Sequence, residues 1–142
     1  MGKKTFEDAF KILCGDKLGE GVHRSVFKCR IRDDLVVKVE KEDDWRYFAN
    51  VHEMKFWSDY KDNSAIAKWL APCDYLSPDG RILLQKRVRM VQPTDVVPDA
   101  LPKFLTDIKR GNFGWIGEQL VAVDYALTDT NASVRMKKVN WE

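Results

Sequence analysis

The hydrophobic and polar positions change rhythm several times along the chain. In residues 5–14 (TFEDAFKILC), Phe6, Phe10, Ile12 and Leu13 stand among polar neighbours at helical spacing. Thr5 suits an N-cap, with Asp8 three residues on as its acidic partner, so a short amphipathic helix closing at Gly15 is expected. Residues 17–40 read instead as strand, glycine turn, strand, a turn at Asp33-Asp34, and a third strand, LVVKVE, rich in β-branched residues. The strongest helical pattern runs from 43 to about 62. Glu42, Asp43 and Asp44 at its start suit the helix dipole, and Trp45, Phe48, Ala49, His52 and Phe56 follow at helical spacing, with His52 as a core or boundary residue. After a connector (63–70), residues 72–77 and 81–88 form two strands about the Pro78-Asp79-Gly80 turn.

The last third is less regular. Residues 91–98 make a proline-containing linker, and 99–106 (DALPKFLT) can form a short helix with Pro102 in its first turn. A polar loop leads into a hairpin, 113–115 then 119–123, turned at Gly117, whose apolar second strand ends on Asp124. Polar turns (Asp129, Thr130, Asn131) and a basic, aromatic-ended tail close the chain. The pattern predicts an α+β fold. It has a five-stranded antiparallel sheet with one long helix (1–90) and a smaller part of short helix, loop and β-hairpin (91–142), packed as one compact unit.

Composition narrows the function. With 44% hydrophobic and 32% charged residues the chain has ordinary globular character, and a net charge of +2 gives no basic field for nucleic acid. No apolar run approaches the roughly 20 residues that span a bilayer, so no membrane partner is expected. The first residues lack a signal-like apolar region, and Phe6 breaks the myristoylation pattern. Cys14, Cys29 and Cys73 are odd in number and widely spaced, and His23 and His52 are the only histidines. Neither a disulfide framework nor a structural zinc site is expected, and reduced thiols suggest a cytoplasmic setting.

Candidate chemistry concentrates in residues 107–124. Asp107, Lys109 and Asn112 share one polar loop, and Asp124 ends an apolar strand, where a carboxylate normally meets a cation or ligand because burying it unpaired is costly. A turn rich in Asp, Gly and Asn beside a hairpin has the same composition. Asp107 and Asn112, five apart, have the spacing of the kinase catalytic loop H-R-D-L-x-x-x-N, and Asp124 ends a strand as the D-F-G aspartate does. Upstream, Gly19-x-Gly21-x-x-Arg24-x-Val26 lies on the Gly-rich loop pattern G-x-G-x-x-G-x-V, although an ordinary hairpin turn needs the same glycines. One hairpin later, Lys38 in Val36-Val37-Lys38 holds the place of the V-A-I-K lysine. Glu53 lies on the helical row Ala49, Glu53, Phe56, Trp57, Tyr60; it is either the partner of Lys38 or a rim residue.

Over residues 18–126 the chain thus resembles the protein-kinase-like superfamily, and is similar to miniature kinase-like proteins of phage and bacterial genomes. The resemblance implies a kinase N-lobe-like sheet and helix plus a minimal C-terminal lobe. It implies ATP and Mg²⁺ as cofactors, with a nucleotide and a protein partner or substrate as ligands. Asp107 would orient or deprotonate the acceptor hydroxyl, and Lys109 would offset phosphoryl charge. Asn112 and Asp124 would hold the metal. Gly19, Gly21, Ser25 and Val26 would cover the phosphates, Lys38 held by Glu53 would contact them, and residues 85–88, with Gln85 and Arg87, would form a hinge whose backbone meets adenine.

Three features depart from the pattern. Leu105-Thr106 replaces His-Arg, Asp124-Tyr125-Ala126 replaces D-F-G, and the sequence ends within 20 residues of Asp124, so most of the helical substrate lobe is expected to be missing. Three functions compete. The first is an ATP-dependent phosphotransferase, and the second a pseudokinase-like nucleotide-binding or inhibitory module without turnover. The third is a small α+β binding domain, which requires that Lys38 and Glu53 do not pair and that Asp124 faces solvent.

Overall fold

The computed structural model describes residues 3–42, 48–126 and 132–142, with side chains from residue 7 onward. The expected helix start at Asp43, Asp44 and Trp45 and the turns at Asp129, Thr130 and Asn131 lie outside the described residues, as do the side chains of Thr5 and Phe6. The chain is α+β and divides into two compact units, Met1–Met54 with Cys73–Arg87, and Lys55–Pro72 with Val88–Glu142.

The first unit holds helix α1 (Lys3–Leu13) and strands β1 (Cys14–Glu20), β2 (Arg24–Cys29) and β3 (Leu35–Glu40). It also holds the first part of α2 (Ala49–Tyr60), β4 (Cys73–Leu76) and β5 (Ile82–Lys86). The short helix α3 (Ser64–Ala67) belongs to the second unit. The strands form one antiparallel sheet in the order β1-β2-β3-β5-β4. β3 lies at its centre and is buried along its whole length, because strand alternation sends its residues to two covered faces. Leu35, Val37 and Val39 join Cys14, Cys29, Ile82 and Leu84 in an apolar cluster against Ala9, Phe10 and Leu13 of α1. Phe10 meets Phe27 edge-on, ring centroids 5.1 Å apart. Val36, Lys38 and Glu40 take the opposite face, towards α2.

The helices differ in detail from the sequence pattern. α1 already includes Thr5, gives way to β1 at Cys14, and leaves Ile12 exposed. In α2 the buried row is Ala49, Asn50, Glu53 and Phe56. Phe48 precedes the helix with φ 60°, and both Phe48 and His52 are exposed, so the aromatic spacing misplaced the apolar stripe by a residue. At the Pro78-Asp79-Gly80 turn, Gly80 takes φ 75° and Asp79 accepts from the Arg81 N–H (3.0 Å), a turn only glycine closes without strain.

The second unit contains α3, a helix within the expected connector 63–70; Asn63 caps it by accepting from the Ala65 N–H. It also contains β6 (Arg89–Met90), β7 (Ala100–Pro102), a 3-10 turn (Arg110–Asn112), β8 (Phe113–Ile116), β9 (Gln119–Ala122) and β10 (Met136–Lys138). β6-β8-β9 form one antiparallel sheet and β7-β10 another. The expected helix over 99–106 is absent. Pro102 has no N–H to give a helix and biases Leu101 to extended backbone, so Ala100–Pro102 pairs as a strand with the tail. The β8–β9 hairpin follows the sequence expectation. Ile116 pairs with Gln119, and Gly117 at the first corner has φ 60°, the type II′ requirement. Gly114 is glycine for a different reason, since a Cβ there would lie 2.3 Å from Val88 Cγ2 and 2.9 Å from the Arg89 oxygen. Among the described residues no helix is long and apolar enough to cross a membrane.

Candidate functional site

In the first unit the chemistry centres on Glu53. Its side chain is wholly buried, yet it carries a full set of partners. Lys38 Nζ donates to Oε1 at 2.5 Å, Gln85 Nε2 donates to the same oxygen at 3.0 Å, and Arg24 Nη2 donates to Oε2 at 3.0 Å. Arg24 Nη1 donates to Asn50 Oδ1, and Asn50 Nδ2 donates to the carbonyls of Lys38 and Arg81. Glu40 Oε1 accepts the Asn50 backbone N–H, one of the donors the start of α2 leaves without an intrahelical acceptor. Burial alone would push the Glu53 carboxyl up, but the Arg24 and Lys38 cations outweigh it and hold it at about 2.

Lys38 and Glu53 therefore pair, on a strand face and helix row that their spacing marks. Sequence reasoning does not reach Arg24, which occupies a glycine position of the loop pattern, or the wholly buried Asn50. The signal was present in the strand register. Arg24 stands opposite Glu40 and Val26 opposite Lys38, so alternation puts Arg24 on the Lys38 face.

The glycine turn is less suggestive of phosphate binding than its pattern. Gly19 and Gly21 have no positive φ, and a Cβ at Gly19 would meet nothing within 4 Å, so the fold itself does not demand glycine there. The Gly21 N–H is committed to the Arg24 carbonyl (2.8 Å), and Ser25 Oγ donates to Glu20 Oε1 (3.2 Å). Glu20 also receives Lys17 and sits near Lys41; the Lys17 hydrogen bond foremost draws its carboxyl below the usual range. Val26 is half-buried on the Lys38 face. At the expected hinge, Gln85 is buried with its amide turned to Glu53. Arg87 is exposed, and its N–H donates to the Asp34 carbonyl at 2.8 Å.

In the second unit Asp107, Lys109 and Asn112 converge. Phe104 and Leu105, both 1% exposed, anchor the approach to the loop. Asp107 takes φ 52°, a left-handed conformation that aspartate tolerates better than most residues but still at a cost. The buried Asn112 amide maintains it, donating through Nδ2 to both the Asp107 carbonyl (2.9 Å) and its Oδ2 (3.0 Å). Lys109 Nζ lies 3.6 Å from Asp107 Oδ1, with both side chains half exposed or more. The Val123 N–H donates to the Asn112 carbonyl at 2.9 Å, which sets Asp124, itself exposed, one residue from Asn112's backbone partner. Tyr125 is buried, its Oη donating to the Ala71 carbonyl at 2.7 Å, and its ring packs on Phe56, which stacks on Phe104. The tail docks on the same unit. Trp141 Nε1 donates to the Pro98 carbonyl, and its ring meets Phe113.

These residues fit a hard cation in one respect. With both Asn112 Nδ2 bonds directed at Asp107, its side-chain Oδ1 is the amide atom of the right kind to coordinate, and Asp124 is an exposed carboxylate. Magnesium is commonly held by one or two such protein oxygens together with substrate phosphates. No family model matches the chain, and no curated protein matches it either.

Proposed function

We propose that the chain is a minimal protein-kinase-like phosphotransferase that uses ATP with Mg²⁺. The observation that carries this reading is the double hydrogen bond from Asn112 to Asp107. It holds a solvent-facing carboxylate in a left-handed backbone, where a general base or hydroxyl-orienting group must be rigid yet reachable. Lys109, 3.6 Å away, supplies positive charge for a phosphoryl group in transfer. Asn112 and Asp124 would hold magnesium, which when bound offsets the charge of the phosphates. In the first unit Lys38 is oriented by Glu53, as the resemblance implies for a phosphate-contacting lysine. Catalysis of this kind is positioning and electrostatics, so a small scaffold suffices.

One observation favours a second reading, a pseudokinase-like module that recognises a protein without turnover. Arg24 stands where the glycine pattern has its third glycine and is locked by Asn50 and Glu53, while the Gly21 N–H is already used. The two readings separate on Asp107→Ala. With a general hydroxyl acceptor such as a mixed-sequence protein, transfer of the γ-phosphate should fall at least about a hundredfold in the variant while ATP binding persists. Equal signal from wild type and variant would remove the phosphotransferase reading.

A further inference from the structure

The cysteine pair Cys14 and Cys29 is independent of the nucleotide reading. The two residues are direct partners across β1 and β2. The Arg30 N–H donates to the Leu13 carbonyl at 2.8 Å, joining the residue after Cys29 to the residue before Cys14. That is the bond flanking a non-hydrogen-bonded antiparallel pair, in which Cα atoms lie about 4.5 Å apart and the side chains share a face. A disulfide needs Cα atoms roughly 4.4–6.8 Å apart. Both thiols are free and buried in the apolar cluster beneath α1. Cys73 lies on the other face of the sheet, where the Gln85 amide approaches its sulfur at 3.8 Å.

We propose that Cys14 and Cys29 form a cross-strand dithiol–disulfide couple, closed by exchange with a low-molecular-weight disulfide such as oxidised glutathione. One thiolate attacks the glutathione disulfide, releasing one reduced glutathione and leaving a mixed disulfide on the protein. The second thiolate attacks the protein sulfur of that bond, expelling the second glutathione, so two thiols become one disulfide and one small disulfide becomes two thiols. Burial pushes the Cys14 thiol up to about 11, with the nearby Cys29 adding to the rise, so little thiolate exists at neutral pH and closure in the native state is slow. β1 is an edge strand preceded by α1, so opening of this edge is the route to both sulfurs. The closed bond ties the base of the hairpin whose tip carries Gly19 and Gly21.

The test incubates the folded, reduced protein in equimolar oxidised and reduced glutathione, followed by acid quench, intact mass and peptide mapping. The expected product has lost two hydrogens, with the Cys14 and Cys29 peptides joined, in wild type and Cys73→Ser alike; Cys29→Ser yields no internal cross-link. A wild-type protein that stays reduced at equilibrium, retains glutathione on either cysteine, or cross-links through Cys73 overturns the proposal. The wild-type peptide map decides even if a cysteine variant fails to fold.

Discussion

Replacing Glu53 by glutamine removes one negative charge from between two buried cations and leaves the shape of the side chain nearly unchanged. Lys38 and Arg24 are 5% and 8% exposed at the side chain and Glu53 is 0%, so water screens little of the loss. The carboxyl falls from 4.5 in its ordinary state to about 2 when folded. At about 1.4 kcal/mol per pH unit, that difference corresponds to roughly 3 kcal/mol of stability at neutral pH. Breaking a buried pair by removing one partner costs about 3–5 kcal/mol, in the same range. Against a typical stability of about 5–15 kcal/mol this is a large fraction. In urea, followed by tryptophan fluorescence, the Glu53→Gln midpoint should fall by about 1–2 M.

The pH dependence carries the sign. A carboxyl with a depressed folded pKa contributes fully above its unfolded value, and the contribution disappears as pH falls through the folded value. The gap between wild type and Glu53→Gln should therefore be constant above about pH 5 and close between 4.5 and 2. Taking the difference cancels the exposed carboxyls that also lose protection in acid. Removing all three charges together, as Arg24→Met, Lys38→Met and Glu53→Leu, should recover much of the loss, since an apolar replacement leaves no orphaned charge. A Glu53→Gln protein within about 0.5 kcal/mol of wild type at pH 7, or a gap indifferent to acid, would refute this account of the network.

Two other substitutions test the second unit. Gly114→Ala places a Cβ 2.3 Å from Val88 Cγ2 and 2.9 Å from the Arg89 oxygen, and should cost about 1–3 kcal/mol by thermal or urea unfolding. Tyr125→Phe deletes the hydroxyl that donates to the Ala71 carbonyl at 2.7 Å but keeps the ring on Phe56. It should lose about 1–2 kcal/mol, checked by the same unfolding curves.

What the sequence revealed and what it concealed follow from the range of the interactions involved. Val36, Lys38 and Glu40 share one face because a strand alternates strictly, and Glu53 falls on the row of Ala49 and Phe56 because the helix repeats. The two periodicities make Lys38 and Glu53 candidate partners, and the contact between them is a property of the fold. The Gly80 and Gly117 turns were legible because their backbone angles favour glycine. The segment 99–106 was not, because its fate depends on pairing with Met136–Lys138, which no local propensity encodes. Asn63 caps a helix of only four residues, too short to show a helical repeat of apolar positions. Arg24 escaped because a motif was read in place of the register that aligns it with Glu40. The loop of Asp107 and Asn112 was marked by spacing alone; the left-handed backbone and the double amide bond that make the arrangement chemically interesting are properties of the fold.

The most direct test of the functional proposal is a calorimetric titration of ATP into the protein with and without Mg²⁺, on wild type and Asp124→Asn. The account predicts binding that strengthens with Mg²⁺ in wild type and loses that dependence in the variant. Absence of binding at millimolar ATP, or binding indifferent to both the metal and Asp124, would contradict it.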